Sequence, residues 1–316
     1  MTWNIKSVVC LLGLLLALSP ALAGADPVPA VFSPGVISGP EHDAAPAFSQ
    51  DGSSVWFGRS GETYASIYVS HKVAEQWSVP QVAAFSGHWR DMEPAMAPSG
   101  RYLVFISNRP VVPGGQPLDG YFMGKNFPAG GGNMWRVDRQ GDGWSDPVHL
   151  PVVVNASTST FAPSIAADGS LYFMSPDKLT NRFRIYRAQL ANGQFESPVP
   201  LPFSTGEFTD VDPAVSPDES FLVFGSSRKS RTDIDLFLAF KSGKNWCKPV
   251  HLGDIVNSSG SDAEPRLSPD LRTLYFSSDR LLPAGADGGT PGWNNAKYNI
   301  FSLPIGQFLQ ARQCEP

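Results

Sequence analysis

Cysteine, charge and long hydrophobic runs are all scarce in this sequence of 316 residues. It has three cysteines, only 17% of its residues are charged, and beyond residue 23 no stretch approaches the roughly 18 apolar residues of a membrane-spanning helix. We therefore expect no membrane span in the mature chain. Turn-forming and aromatic residues are abundant instead, with 30 Gly, 29 Pro, 20 Phe, 8 Tyr and 8 Trp. This composition excludes disorder, a coiled coil and a helical bundle, and it favours an all-β fold with many short strands.

The first 23 residues have the pattern of a cleavable signal peptide. Lys6 supplies a positive charge, residues 8–18 form an apolar run too short to cross a bilayer, and Ala21-Leu22-Ala23 fits a cleavage site. We predict that residues 24–316 form the mature protein and that this protein is periplasmic or secreted.

The mature chain is mildly acidic, with 23 Lys and Arg against 29 Asp and Glu. Such a surface gives no electrostatic reason to expect nucleic acid or anionic lipid as a partner. Its two cysteines, Cys247 and Cys314, would reach an oxidising compartment, so we predict a disulfide that ties down the C-terminal tail. A pair of unpaired buried thiols is the alternative.

Five repeats of about 50 residues organise the mature chain, and each is aligned on a proline. The spacings between these anchor prolines are 48, 69, 50 and 52 residues, so the second repeat carries an insertion. The anchor prolines are Pro46, Pro94, Pro163, Pro213 and Pro265. After each come a turn, two strands rich in aromatic and β-branched residues, and a fourth strand marked by an aromatic residue three positions before a proline. Four antiparallel strands per repeat are typical of a β-propeller blade.

The fifth repeat lacks its fourth strand. Residues 27–37 resemble the segment 198–206 of the third repeat, and we predict that they complete the last blade and close the ring. The expected fold is therefore all-β, a single propeller domain of five four-stranded blades over residues 24–316. A six-bladed ring is the alternative, if both chain ends contribute to a degenerate blade.

The repeat motifs resemble those of a known family. Asp210-Val-Asp-Pro-Ala-Val-Ser-Pro-Asp218 with Phe224-Gly-Ser-Ser-Arg228, and the equivalent segments 263–270 and 275–280, are similar to the TolB-type WD-like propeller repeat. The resemblance spans all five repeats and implies a propeller of the kind found in periplasmic scaffold proteins, in cell-envelope proteins with peptidoglycan-binding partner domains and in the propellers attached to some peptidases. Together with the absence of catalytic motifs, it favours a non-enzymatic module that binds a protein or peptide of the bacterial cell envelope. The third repeat departs from the pattern, with Thr160 and Ala162 in place of acids and Lys178 in place of an arginine.

Carboxylates recur one and three residues before the anchor prolines, where a propeller would gather them at one mouth of its channel. They are Asp91, Glu93, Asp210, Asp212, Asp262 and Glu264, with Asp43 as a partial fourth member. Arginines recur four residues beyond the second-strand phenylalanine, at Arg109, Arg228 and Arg280. One interpretation is a site for a cation, a sugar or a basic peptide. The structural interpretation, in which each Asp pairs with an arginine between blades, is favoured because the feature repeats.

Two long glycine-rich loops between second and third strands break the symmetry of the repeats. They span residues 110–133 and 281–297, and they carry Tyr121 and Trp293. Long loops in a compact domain are often functional, so we predict that both overhang the mouth and add to a binding face.

The sequence shows no nucleophile elbow, phosphate-binding glycine loop or His-Glu-x-x-His motif, and its histidines lack metal-ligand spacing. We therefore favour a non-enzymatic binding protein with no cofactor and no metal. The alternative is a carbohydrate-active hydrolase or lyase, in which an acid pair such as Glu93 with Asp212 lies without an arginine partner. A metal-stabilised scaffold is a third class.

Overall fold

The computed structural model describes residues 28–230, 232–282, 295–310 and 314, and nearly all of their regular structure is β-strand. Strand β1 is Ala30–Val31, and the helix of these ranges, α1, is the short segment Gly306–Gln310. No helix in the described ranges is long and apolar enough to span a membrane.

The other strands form five antiparallel blades in chain order, one for each repeat. Blade one contains β2 (His42–Phe48), β3 (Ser54–Ser60), β4 (Ala65–Val73), β5 (Gln76–Trp77) and β6 (Gln81–Val82). Blade two contains β7 (Asp91–Met96), β8 (Tyr102–Ser107), β9 (Gly120–Phe122), β10 (Lys125–Phe127), β11 (Asn133–Gln140), β12 (Gly143–Trp144) and β13 (Val148–His149).

The remaining three blades follow the same plan. Blade three contains β14 (Phe161–Ile165), β15 (Leu171–Pro176), β16 (Phe183–Ala188), β17 (Leu190–Ala191), β18 (Gln194–Phe195) and β19 (Val199–Pro200). Blade four contains β20 (Asp210–Val215), β21 (Phe221–Ser226), β22 (Asp235–Ser242), β23 (Asn245–Trp246) and β24 (Val250–His251). Blade five contains β25 (Asp262–Leu267), β26 (Thr273–Ser278) and β27 (Asn299–Pro304).

Strand β1, in the segment 27–37, closes the ring as predicted. Strand β1 pairs with β27, so that Ala30 lies opposite Ser302 and Val31 opposite Phe301. The inner strands β2, β7, β14, β20 and β25 each contact the next, and β25 contacts β2. The propeller therefore has five blades, and the six-bladed alternative is wrong.

The hydrophobic core is divided among the interfaces between blades. Five clusters of buried side chains each join mainly two neighbouring blades. A second-strand phenylalanine occupies the same place in every blade and is almost fully buried. These residues are Phe57, Phe105, Phe173, Phe224 and Phe276. Burial of one such ring contributes about 2–3 kcal/mol. Because the clusters that contain these rings lie between blades, each blade depends on its neighbours for much of its apolar stabilisation.

The outer strand differs from the sequence prediction in one respect. The marker aromatic residues, such as Trp144, lie in a two-residue strand that pairs with the end of the third strand. The true fourth strand, such as β13, begins only after the following proline and pairs with the middle of the third strand. Proline has no N–H to donate to the ladder, so it divides the outer strand in two.

Every inner strand has a bulge at its anchor proline. The residue before the proline has positive φ in all five blades, and the strand register shifts at that point. These residues are Ala45 (50°), Glu93 (53°), Ala162 (52°), Asp212 (53°) and Glu264 (49°). The left-handed conformation costs a non-glycine residue about 1 kcal/mol or more, so its fivefold repetition marks a requirement of this fold.

A disulfide joins Cys247 to Cys314 across 67 residues of chain, with their Cα atoms 5.3 Å apart. Cys247 follows β23 and packs against the cluster between blades four and five. The bond ties residue 314 to blade four.

We expect the double substitution Cys247→Ser with Cys314→Ser to lower the free energy of unfolding by about 4 kcal/mol, because the bond restricts a long loop of the unfolded chain. Urea unfolding of the oxidised protein and the variant measures the difference. Reductant should shift the unfolding midpoint of the parent protein and leave that of the variant unchanged. Equal midpoints for the oxidised parent and the variant would contradict the prediction.

Candidate functional site

The acids three residues before the anchor proline are paired with arginines in four blades. Each aspartate is at most 1% exposed, and each arginine lies in the same blade as its partner. The distances are 2.6 Å for Asp43–Arg59, 2.8 Å for Asp91–Arg109, 2.8 Å for Asp210–Arg228 and 2.5 Å for Asp262–Arg280. The expected pairing between neighbouring blades is wrong, because the aspartate lies on the inner strand and the arginine at the end of, or just after, the second strand of the same blade.

The arginines also hold the segment that enters their blade. Arg109 donates to the carbonyl of Phe85 as well as to Asp91, and its guanidinium lies over the rings of Phe105 and Trp135. Arg228 and Arg280 have equivalent partners. An arginine whose charge is paired, whose N–H groups are hydrogen-bonded and whose plane is stacked on aromatic rings has a structural role.

Blade three has the same kind of pair with its charges exchanged. Asp177, four residues beyond Phe173, takes the place of the arginine, and Lys178 does not fill it. Arg184 of β16 donates to Asp177 at 2.9 Å and also to the carbonyl of Ser204. Four blades therefore place the acid on the inner strand, whereas blade three places it on the loop.

The acids one residue before the anchor proline connect neighbouring blades. Glu93 accepts a hydrogen bond at 2.6 Å from the backbone N–H of Ala162 in blade three. Asp212 accepts one at 3.1 Å from the N–H of Glu264 in blade five. Between blades five and one the hydroxyl of Ser277 accepts from the N–H of Ala45 at 3.3 Å. Three of the strained bulges, at Ala45, Ala162 and Glu264, are thus bonded to a side chain of the preceding blade.

Three of these acids share one environment on the axis. Burial raises the pKa of Glu93, and the negative charges of Asp212 and Glu264 raise it further. Burial and then the charge of Glu264 raise the pKa of Asp212, and burial raises the pKa of Glu264. Arg266 opposes the rise in all three pKa values. Because the groups interact, they titrate as one unit that retains protons above the usual carboxyl range.

Arg266 is a site residue that the sequence analysis did not single out. It follows anchor Pro265 and is only 6% exposed. One of its terminal nitrogens donates to the carbonyl of Pro265 at 2.9 Å, whereas Nε and Nη2 have no hydrogen-bond partner among the described residues. The signal in the sequence is a departure from small residues, because the other four repeats carry Ala47, Ala95, Ser164 and Ala214 at this position.

Arg266 lines a cavity of about 320 Å³ on the propeller axis. All five blades contribute to this axial cavity through the ends of their inner strands and the turns that follow. Its lining includes none of the seven acids that the sequence analysis named. The axial cavity therefore lies on the other side of the anchor prolines from the acids.

Tyr121 belongs to a hairpin formed by β9 and β10, within the insertion of blade two. The hairpin packs on blade three, where Phe122 stacks on Phe127 at 4.2 Å and contacts Phe183 at 5.1 Å. The N–H of Tyr121 donates to Ser159, and the side chain of Tyr121 is 55% exposed. The insertion thus contains a hairpin that packs on blade three. Trp293 lies outside the described residues.

A groove of about 680 Å³ runs between this hairpin and blade three. Tyr121, Phe173 and Tyr186 contribute aromatic surface to it, and Asp177 and Lys178 contribute charge. None of the channel acids lines it. The structure therefore separates Tyr121 from the carboxylates with which the sequence analysis grouped it.

The described residues contain no group of three or more His, Cys, Asp or Glu side chains arranged to hold a metal ion. Glu93 and Asp212 instead accept hydrogen bonds from backbone N–H groups, and the negative charges of Asp212 and Glu264 act on Glu93.

No protein-family model matches the sequence, and no curated protein matches it. Solved structures with a similar fold include a thermostable family-43 glycoside hydrolase, with a TM-score of 0.57, 10% identity, and coverage of 86% of this chain and 92% of that one. The α-L-arabinofuranosidase PaAbf62A from Podospora anserina has a TM-score of 0.50 and 11% identity, covering 88% and 96%. TolB from Acinetobacter baumannii has a TM-score of 0.48 and 15% identity, covering 92% of this chain and 65% of that one. At these identities the likeness shows the fold alone.

We expect Asp91→Asn to lower the free energy of unfolding by about 3 kcal/mol, because it leaves the buried Arg109 without its counter-charge. Chemical unfolding measures the loss. The matched control is Asp142→Asn at an exposed turn, which should change the value by less than about 0.5 kcal/mol. Similar effects of the two substitutions would contradict a structural role for the pair.

We expect the protein to lose stability as the pH rises from about 4.5 through the neutral range, and Glu93→Gln to reduce this loss. The raised pKa of Glu93 means that the folded state keeps a proton that the unfolded chain releases above its ordinary pKa of 4.5. Glutamine carries no such proton. Unfolding free energies at several pH values measure the slope. Glu196→Gln, at an exposed site, should retain the slope of the parent protein, and an equal slope in Glu93→Gln would contradict the prediction.

Proposed function

We propose that this protein is an exported, non-enzymatic propeller that binds a protein or peptide of the bacterial cell envelope through the groove beside the β9–β10 hairpin. The observation that carries the proposal is the groove itself, which combines exposed Tyr121 with the surface of blade three. Interfaces between proteins are rich in such aromatic side chains, with charged groups around them.

The contrast between repeated and unrepeated features supports this choice. The aspartates of four blades are paired with arginines, so these repeated charges stabilise the blades. The hairpin has no counterpart in the described parts of the other blades. It is nevertheless fixed by packed rings, which supports a role that needs a defined surface.

Two observations support export. Residues 1–23 have the signal-peptide pattern, although they lie outside the described residues. The Cys247–Cys314 disulfide fits an oxidising compartment such as the periplasm.

A carbohydrate-active hydrolase or lyase is the second candidate. The observation that favours it is that Glu93 and Asp212 lie without an ion-pair partner within the described residues and have raised pKa values. Against it, both carboxylates accept backbone hydrogen bonds, and the axial cavity is not lined by them. Turnover of aryl glycosides that Glu93→Gln abolishes would establish this candidate over the first.

We expect Tyr121→Ala to reduce the recovery of a specific envelope polypeptide by about 10-fold or more, as is usual when a central interface aromatic is truncated. The measurement is quantitative mass spectrometry of polypeptides captured from envelope extract by the immobilised protein. The matched control is Tyr64→Ala, because Tyr64 is 37% exposed and lies outside the groove. Equal recovery by the parent protein and both variants, or no specific recovery at all, would contradict the proposal.

A further inference from the structure

The axial cavity has the composition of a site for an apolar anion. Its walls are formed mainly by prolines and aliphatic side chains, including Pro46, Ile165, Val215 and Leu271. Arg266 is the one charged side chain among the described residues that line it. A volume of about 320 Å³ is at the lower end of the range for small-molecule sites.

The unpartnered atoms of Arg266 are the two that bind a carboxylate side-on. In a guanidinium group the N–H bonds of Nε and Nη2 point in the same direction, and together they match the two oxygens of a carboxylate. Arg136 shows this geometry elsewhere in the chain, with Nη2 at 2.5 Å from Oδ1 and Nε at 3.1 Å from Oδ2 of Asp138. In Arg266 the same two nitrogens are buried and unsatisfied within the described residues.

The nearby acids do not satisfy this demand. Glu93, Asp212 and Glu264 interact with Arg266 through their electric fields, but none forms an ion pair with it within 4.0 Å. Glu93 and Asp212 direct an oxygen at the N–H groups of neighbouring bulges. Burying a donor of a charged group without a partner is unfavourable, and a ligand carboxylate would recover that loss.

We propose that the axial cavity binds a small ligand with a carboxylate on an apolar body, with the carboxylate held by Nε and Nη2 of Arg266 and the body against the prolines and aliphatic side chains. This site is separate from the groove of the proposed function. A short fatty acid and the C-terminal residue of a peptide both have this chemistry.

The primary experiment is calorimetric titration of the full mature protein with hexanoate, and with hexanamide as the uncharged comparison. We expect saturable binding of one hexanoate per chain and at least 10-fold weaker binding of hexanamide. The source of the natural ligand is tested with acetyl-Ala-Val-Leu as the free acid and as the amide. Preference for hexanoate favours a free acid, and preference for the tripeptide acid favours a peptide C-terminus.

The variant Arg266→Met removes the charge while nearly preserving side-chain length, and we expect it to weaken hexanoate binding at least 10-fold. Arg266→Lys keeps the charge without the planar pair of donors and should also bind more weakly. Arg136→Met and Tyr121→Ala are controls that should bind hexanoate as the parent protein does. Near-ultraviolet circular dichroism checks that each variant is folded, and the comparison of hexanoate with hexanamide on the parent protein needs no variant.

Three results would overturn the proposal. The first is an absence of hexanoate and tripeptide binding through millimolar concentrations. The second is equal binding of hexanoate by the parent protein and a folded Arg266→Met, and the third is equal binding of hexanoate and hexanamide by the parent protein.

Discussion

The chemistry of the axis depends on a backbone constraint at the anchor prolines. The residue before each proline adopts a left-handed conformation, so the inner strand is interrupted at the same point in all five blades. The interruption separates two layers of side chains. The layer before the prolines holds Glu93, Asp212 and Glu264, and the layer after them is small in four blades. Small side chains leave the axis open, and Arg266 enters the space that they leave.

The acids three residues before the anchor prolines and those one residue before them are buried with different partners. Asp91 and its equivalents remain beside a guanidinium of their own blade, which supplies the opposite charge within hydrogen-bonding distance. Glu93 and Asp212 reach across to a neighbouring blade and accept one backbone N–H each. A single N–H does not offset the cost of burying a charge close to two other acids, and the pKa rises. The first set stabilises single blades, and the second connects blades at their most strained residues.

Much of the architecture could be predicted from the sequence, because the anchor proline and the strand pattern after it recur in all five repeats. The anchor prolines predicted the number of blades, and the missing fourth strand of the last repeat predicted the role of β1. The division of the outer strand at Pro147 and its equivalents was missed, although the absent proline N–H contains the reason.

The candidate site was less predictable, because side-chain partners depend on packing between strands that sequence spacing does not specify. The recurrence of Asp and Arg is visible in the sequence, but their pairing within one blade depends on how close the loop after the second strand lies to the start of the first. The exchange of charges between Asp177 and Arg184 is not visible in the sequence. Lys178 is the basic residue nearest to the position of the arginine, but the equivalent position is that of Asp177. Arg266 was visible as the one large residue in a column of Ala and Ser, but its lack of partners is a property of the folded axis.

The departures of the third repeat make the groove possible. In the other four blades an aspartate of the inner strand occupies the position of Thr160 and is paired with an arginine of its own blade. Thr160 lines the groove, next to the segment where Ser159 accepts the N–H of Tyr121 and Phe161 contacts Phe122. An acid at this point would have no arginine at the equivalent loop position to pair with, because Asp177 occupies that place and is paired with Arg184. The blade that lacks the acid and exchanges the charges of its pair is therefore also the blade on which the insertion from blade two packs, with Tyr121 presented to solvent.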